Sequence, residues 1–305
     1  MVADLNFAIT GGTGFVGGRL IELALAGGHQ VRALTRRPQE PRHGVTWIDG
    51  ALDKPDSLDR LSEGADAVIH VAGVINAPDP AGFESGNVTG TSAVLAAAEK
   101  ASVGRFVHVS SLAAREPKLS AYGASKAGSE ALVNASYLPS AIVRPPAVYG
   151  PGDREMLELF RMAKRGFVLL PPGGRLSVIH ADDLARLLLA LAEPTAPKGL
   201  LVEPDDGRHR GWSHEEFGQA LGRAVGRRVT TISTPRPVLS LVSKVDRLVR
   251  RDKAKLTADR VAYFCHPDWM VDPGRGAPEK LWRPRIETEK GLAETARWYR
   301  AAGWL

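Results

Sequence analysis

The stretch TGGTGFVGGRL, residues 10–20, constrains this chain more than any other. It follows the apolar run LNFAIT (5–10) at once and opens a helical pattern over 15–26. Gly12, Gly14 and Gly17 fit G-x-G-x-x-G, and Gly11, Gly14 and Gly17 fit G-x-x-G-x-x-G. The first glycines allow a tight turn between strand and helix. Gly14 lets an anion approach the backbone, Gly17 lets the helix sit close to the sheet, and the helix N-terminus faces the anion. A strand before and a helix after separate this loop from an ordinary glycine-rich turn. Gly11, Gly12, Thr13, Gly14, Phe15, Val16 and Gly17 are therefore expected to hold the pyrophosphate of a dinucleotide.

The residues that follow repeat the theme. Short apolar runs QVRALT (30–35), VTWI (45–48), AVIHVA (67–72), RFVHVS (105–110), AIVR (141–144) and LLVE (200–203) alternate with helical stretches such as 87–102 and 124–136. Near-continuous apolar runs suit strands buried on both faces. The alternation predicts an α/β fold, a doubly wound parallel sheet of the Rossmann type. After residue 145 the pattern changes. RPPAVYGPGD (144–153) and LLPPGGR (169–175) read as loops, and HADDLARLLLALAE (180–193) as an amphipathic helix. From about 205 onward the elements read as short and irregular, up to a closing helix at 288–302. The expected division is 1–145 plus 178–204 as the dinucleotide-binding domain, with 146–177 plus 205–305 as a smaller C-terminal substrate lobe.

The choice of dinucleotide turns on the end of the second strand. A carboxylate there binds the ribose 2′-hydroxyl and selects NAD. Here the strand ends ALTRRP, with Thr35 where the acid would stand and Arg36 and Arg37 behind it. A guanidinium pairs with a 2′-phosphate through its planar fork. The expectation is NADP(H) rather than NAD(H), with Arg36 the contact.

Composition narrows the remaining classes. The chain of 305 residues is 44% hydrophobic, enough for a sizeable core, and contains no apolar run of the ~18 residues a membrane span needs. The N-terminus lacks a charged segment ahead of an apolar one, and Cys265 is the single cysteine, so the cytoplasm is the expected location. The net charge of +6 contains no run of five like charges, and its densest basic stretch, KVDRLVRRDKAK (244–255), is broken by aspartates and spaced like an amphipathic helix. A nucleic-acid or membrane partner is not expected; a small-molecule substrate is. His70, His108 and His180 sit in strand-like patterns without metal-ligand spacing, so no metal is expected.

Tyr122 stands four residues ahead of Lys126 in SAYGASKAGSE (120–130). This composition produces about 0.2 such pairs by chance, so the spacing alone says little. Its company says more. TGGTGFVG (10–17), DAVIHVAG (66–73), NVTGTSAVLAAA (87–98), FVHVSS (106–111), YGASK (122–126), RPPAVYGPGD (144–153) and VIHADDLA (178–185) follow one another in the order seen in the extended short-chain dehydrogenase/reductase superfamily, the NAD-dependent epimerase/dehydratase family, which the chain resembles over nearly its whole length. The resemblance implies an NAD(P)-dependent oxidoreductase. It makes Tyr122 the general acid/base, Lys126 the charge that favours its phenolate and a ligand of the nicotinamide ribose, and Ser111 the group that polarises the substrate oxygen. It lays Ala72 and Gly73 against the cofactor and Pro145 and Val148 along its nicotinamide side. Asn87 would steady the active-site end of its helix, and Asp182 and Asp183 would cap the helix they open. Homodimerisation through 87–102 and 124–136 is common in that family.

Two departures bear on what the enzyme does. Many members carry an Asp after the third strand to accept a bond from adenine; this chain reads GALDKPDSL, with Ala51 in its place, leaving the Leu52 backbone or Asp53 for the adenine. Nucleotide-sugar members carry an Arg four residues before the motif histidine; here that position is Leu176, with Arg175 one residue off. The resemblance then implies hydride transfer between NADP(H) and a carbonyl or secondary alcohol of a small organic substrate. A nucleotide-sugar epimerase or dehydratase and a non-catalytic NADPH-binding structural or regulatory subunit remain as alternatives.

Overall fold

A computed structural model describes residues 4–250 and 256–305. They fall into two compact units, the first comprising Met1–Arg144, Leu184–Val202 and Ala277–Trp282, the second Pro145–Asp183, Glu203–Gly276 and Arg283–Leu305.

The first unit is built on seven strands: β1 (Asn6–Thr10), β2 (Gln30–Thr35), β3 (Val45–Asp49), β4 (Ala67–His70), β5 (Arg105–Val109), β6 (Ser140–Val143) and β11 (Leu200–Val202). Every pairing is parallel, in the order β3-β2-β1-β4-β5-β6-β11. The chain starts at β1, runs outward to β3, returns to β4 and continues the other way. That reversal opens a crevice at the carboxyl ends of β1 and β4, the place where such sheets bind ligands. The Val, Ile and Phe runs of β1, β4 and β5 are buried throughout, as a sheet covered on both faces requires.

Helices cover the sheet. α1 (Phe15–Ala26) buries Gly17, Leu20, Ile21 and Ala24, a stripe spaced three and four residues apart. α2 (Pro55–Ser62) has proline at its start and packs Leu58 and Leu61 into a core with Val94, Phe106 and Ile142. α2 was not foreseen among the sequence patterns. α3 (Pro80–Phe83) leads into a wide π-helical turn, Glu84–Thr89, before α4 (Gly90–Lys100) begins. α5 (Ala121–Ala135) starts at Ser120, whose hydroxyl accepts from the Gly123 N–H at 2.9 Å. Arg105, buried in β5, is anchored by carbonyls: its Nε donates to Leu191 at 2.8 Å and its Nη2 to Pro197, while its buried Nη1 meets no partner among the described residues.

The second unit holds short strands. β7 (Ala147–Tyr149) pairs with β10 (Val178–His180), and β8 (Phe167–Leu170) with β13 (Thr230–Ser233), while β9 (Arg175–Leu176) lies between β12 (Trp212–Ser213) and β14 (Asp268–Trp269). Because β10 pairs with β7, the chain returns to the first unit at 183/184, within α7 (Ala181–Ala192), six residues beyond the 177/178 boundary read from sequence. Its helices are α6 (Leu157–Lys164), α8 (His214–Val225), α9 (Arg236–Arg250), α10 (Ala258–Phe264) and α11 (Thr288–Ala301). Tyr149, Phe160, Val178, Leu221, Leu292 and Tyr299 form its core. The expectation of short, irregular elements beyond 205 is corrected by α8 and α9, of 12 and 15 residues. α8 carries a full capping box between Ser213 and Glu216 and ends at Gly226 with φ 76°, signals that mark a helix.

Candidate active site

The glycine-rich loop turns directly after β1. Gly11 has φ +72°, and a Cβ there would lie 2.8 Å from the Ala72 nitrogen at the end of β4. A Cβ on Gly17 would lie 2.1 Å from the Gly11 carbonyl oxygen, so only glycine lets the helix start this close to the turn. The Gly14 N–H closes the turn onto the Gly11 carbonyl at 2.9 Å. No side chain caps the N-terminus of α1, which leaves its first-turn N–H groups and the positive end of the helix for an anion. Thr13 and Gly14 are exposed here, and Phe15 and Val16 half-buried.

The next two expected contacts lie on neighbouring strand ends. The Thr35 hydroxyl donates to the Arg37 carbonyl at 2.6 Å and fixes the turn after β2, leaving Arg36 exposed and no carboxylate at the strand end. After β3, the Ala51 N–H donates to the Ser57 hydroxyl at 3.3 Å, and Leu52 packs against Gly90.

At the ends of β4 and β5 the structure brings Gly73, Asn87, Ser111, Tyr122 and Lys126 into one region. Lys126 is 4% exposed, and its ammonium donates to the Val109 carbonyl at 2.8 Å, two residues before Ser111. A Cβ on Gly73 would lie 3.1 Å from Asn87 Oδ1 and 3.6 Å from Lys126 Nζ, so the backbone at the end of β4 forms a side-chain-free floor beside the ammonium. Ser111 is buried and accepts from the Ala113 N–H at 3.2 Å, starting the 3₁₀ turn Leu112–Arg115. The first turn of α5 sits tightly on that turn, since a Cβ on Gly123 would come within 2.7 Å of the Ala113 carbonyl. Tyr122, half-buried in the same turn of α5, lies with its ring 6.0 Å from that of Phe83.

Asn87 does not open its helix as expected. It sits in the π-helical turn, and its Oδ1 accepts from the Val74 N–H at 2.7 Å. Its Nδ2 donates to the Val74 carbonyl and to Ser125 Oγ, both at 2.9 Å. It thereby ties the loop after β4 to α5, one residue from Lys126.

Beneath Lys126 two buried imidazoles stack, His70 on His108, with ring centroids 5.4 Å apart. The β4–β5 register pairs these two residues. Thr91 donates its hydroxyl to the Asn87 carbonyl at 2.6 Å and so accepts from His70 Nε2 at 3.0 Å, while Thr10 donates to His70 Nδ1 at 2.7 Å. Ser129 donates to the Lys126 carbonyl at 2.8 Å and accepts from His108 Nε2 at 2.9 Å. His108 Nδ1 meets no partner among the described residues, and burial favours the neutral form of both rings. Burial and the nearby Lys126 charge hold His70 down at about 3 and His108 well below its ordinary value. Burial also pulls Lys126 down to about 8, opposed by Glu130 one turn further along α5.

Sequence reasoning passed over the acidic partner in this region. Glu130 is buried and bonded by Arg144 at 2.8 and 2.6 Å, and it accepts from the Ser110 hydroxyl at 2.5 Å. The available signal was its position one helical turn after Lys126. Pro145 and Val148 belong to the second unit: Pro145 is its first residue, and Val148 lies in β7 opposite Ile179. There too, Asp183 accepts from the Arg285 and Ile286 N–H groups at 3.0–3.2 Å and so clamps a distant segment.

The uncapped helix end, the turn that excludes a Cβ at Gly11 and Gly17, and the bare Gly73 floor beside an ammonium fit a nicotinamide dinucleotide. Among the described residues, no group of three or more His, Cys, Asp or Glu side chains could hold a metal ion. Fold and site define an NAD(P)-dependent oxidoreductase of the extended short-chain dehydrogenase/reductase class. The chain belongs to the NAD dependent epimerase/dehydratase family, whose profile matches residues 7–200. It is 38% identical to a ceramide reductase of Caulobacter vibrioides, across 98% of this chain and 95% of that one. It is 26% identical to a 2-alkyl-3-oxoalkanoate reductase of Stenotrophomonas maltophilia, across 94% and 97%. The fold matches that of the Bordetella bronchiseptica enzyme WbmG, solved with NAD and UDP, with a TM-score of 0.77 over 99% of this chain and 97% of the other, at 20% identity.

Proposed function

We propose that the protein is an NADP(H)-dependent reductase that interconverts a ketone and a secondary alcohol on a lipid of the ceramide class. The observation that carries the chemistry is Lys126, a buried ammonium bonded to the Val109 carbonyl, two residues before Ser111, and one helical turn after Tyr122. The lipid class rests on the near full-length likeness to a ceramide reductase. NADP(H) rests on the end of β2, where exposed Arg36 stands and a carboxylate does not.

In this reading Gly11 to Gly17 and the start of α1 hold the pyrophosphate, and Arg36 the 2′-phosphate. The backbone at Leu52 meets the adenine, and Ala72 and Gly73 lie against the remainder. When bound, the nicotinamide exchanges a hydride with the substrate carbon. Ser111 donates to the substrate oxygen and holds it. Tyr122 passes its phenolic proton to that oxygen, or takes it back in the oxidative direction. Free tyrosine titrates near 10, and a cation one turn away favours the phenolate. Lys126 supplies that charge and bonds the nicotinamide ribose. Asn87 positions the loop after β4 against α5.

The nucleotide-sugar alternative needs an arginine for the diphosphate. Arg175, the nearest in sequence, donates instead to the Arg210 carbonyl at 2.6 Å and the Gly211 carbonyl at 3.2 Å, closing its own loop. The deciding measurement is net cofactor consumption. Keto-lipids should oxidise NADPH one for one, with no epimerisation of nucleotide sugars. Turnover of a nucleotide sugar with no NADPH consumed would overturn the reading.

A further inference from the structure

We propose that α9 lies on the surface of an anionic lipid bilayer. Its orientation is inverted for a water-facing helix. Val238, Leu241, Val242, Val245, Leu248 and Val249 are exposed by 47 to 81%. Their spacing of i, i+3, i+4, i+7, i+10 and i+11 puts all six on one stripe. The side turned inward carries Leu239, Ser240, Ser243 and Asp246 instead. A soluble helix buries its apolar stripe; this one buries a largely polar face and presents the apolar stripe outward. These six account for half of the twelve exposed large apolar side chains among the described residues, so the patch is concentrated on one helix.

Charge complementarity selects the occupant. Arg236, Lys244 and Arg250 are exposed on the same helix. Its acid, Asp246, is engaged by Arg250 at 3.3 Å and by the Leu256 N–H at 2.9 Å. An apolar stripe flanked by lysines and arginines is the pattern of a helix seated at the headgroup boundary, each cation adding attraction to anionic lipid. At ~1.5 Å per residue the 15-residue helix is about 22 Å long, too short for a hydrocarbon core of ~30 Å, so it lies on the bilayer and does not cross it. The sequence-based expectation of no membrane partner rested on the absence of a spanning run, which a surface helix does not need. The placement of α9 does not depend on the reductase reading.

The test is flotation of the full chain with vesicles of phosphatidylcholine alone and of phosphatidylcholine containing phosphatidylglycerol. It is repeated with Val245→Asp/Leu248→Asp, whose sites are exposed and outside the dinucleotide site. The wild type should float with the anionic vesicles, less so in high salt, and the variant should bind at least tenfold more weakly with NADPH affinity unchanged. Equal flotation of both proteins, or none by the wild type, overturns the proposal. A wild type that elutes as a dimer and a variant that elutes as a monomer, neither binding vesicles, would assign the face to a second copy and overturn it as well. A keto-lipid that is not reduced would count against the proposed reaction and leave the flotation result intact.

Discussion

The Lys126 ammonium is hydrogen-bonded to the Val109 carbonyl at 2.8 Å from a side chain that is almost wholly buried. Burial draws its titration from 10.5 to about 8, which makes the charge a cost to folding. Below pH 8 both folded and unfolded chains carry the proton, and the full cost of up to about 3 kcal/mol is present. Between pH 8 and 10.5 the folded state gives up its proton first, and stability rises with pH. Lys126→Met should therefore unfold at higher urea than the wild type at pH 7, with the gap closing above pH 10, while turnover is lost. Equal urea midpoints at pH 7 would count against the buried charge.

Tyr122→Phe keeps the ring against Phe83 and removes only the proton donor. Turnover should fall by ~10²–10⁴, the usual contribution of a placed acid or base, with NADPH binding intact. Steady-state rates and fluorescence titration check the two halves separately, and full activity in the variant would remove Tyr122 from the mechanism.

Arg36→Ala tests the cofactor. A hydrogen bond to a charged group is worth about 1.5–3 kcal/mol, so NADPH affinity should fall by roughly ten- to a hundredfold, with NADH affinity unchanged. An unaltered preference in calorimetric titration would exclude Arg36 as the 2′-phosphate ligand.

Gly17 and Gly18 are adjacent and should behave oppositely. A Cβ at 17 would press into the Gly11 carbonyl, whereas at 18 the nearest such atom, the Gly12 carbonyl oxygen, is 3.9 Å away. Gly17→Ala should cost ~1–3 kcal/mol or more and abolish dinucleotide binding. Gly18→Ala should stabilise by roughly 0.5–1 kcal/mol, the helical gain of alanine over glycine. Thermal melts with and without NADPH separate the two.

The neutral His70–His108 stack makes the fold acid-sensitive. Both imidazoles titrate below 6.5 when folded, so below that value the unfolded chain binds protons that the folded one refuses. Stability is lost as pH falls, by up to about 1.4 kcal/mol per pH unit for each ring. His108→Leu should flatten the slope of urea midpoints between pH 6.5 and 5, and an unchanged slope would show that His108 plays no part.

The sheet was legible because local chemistry dictates it. Strands buried on both faces read as unbroken apolar runs, and a helix that must start at a phosphate loop needs glycine where the turn touches its neighbours, as Gly11 and Gly17 do. The Tyr122–Lys126 spacing and Arg36 were equally visible, since each depends on one strand end or one helical turn. Long-range pairing was not. Sequence order does not say that Glu130 is bonded by Arg144, that Asn87 spans from Val74 to Ser125, or that Asp183 clamps residues 285–286, because each bond joins segments that meet only when the strands stack. Nor does periodicity reveal which face of α9 turns outward. An amphipathic pattern reports two faces, and the packing around Ser243 and Asp246 chose the polar one for the interior. The chain's own pattern thus settles its strands, its glycine-rich turn and the spacing of Tyr122 and Lys126, all short-range matters. Burial, the depressed Lys126 and the exposed apolar stripe arise from three-dimensional neighbours, because desolvation depends on what surrounds a group and not on what precedes it.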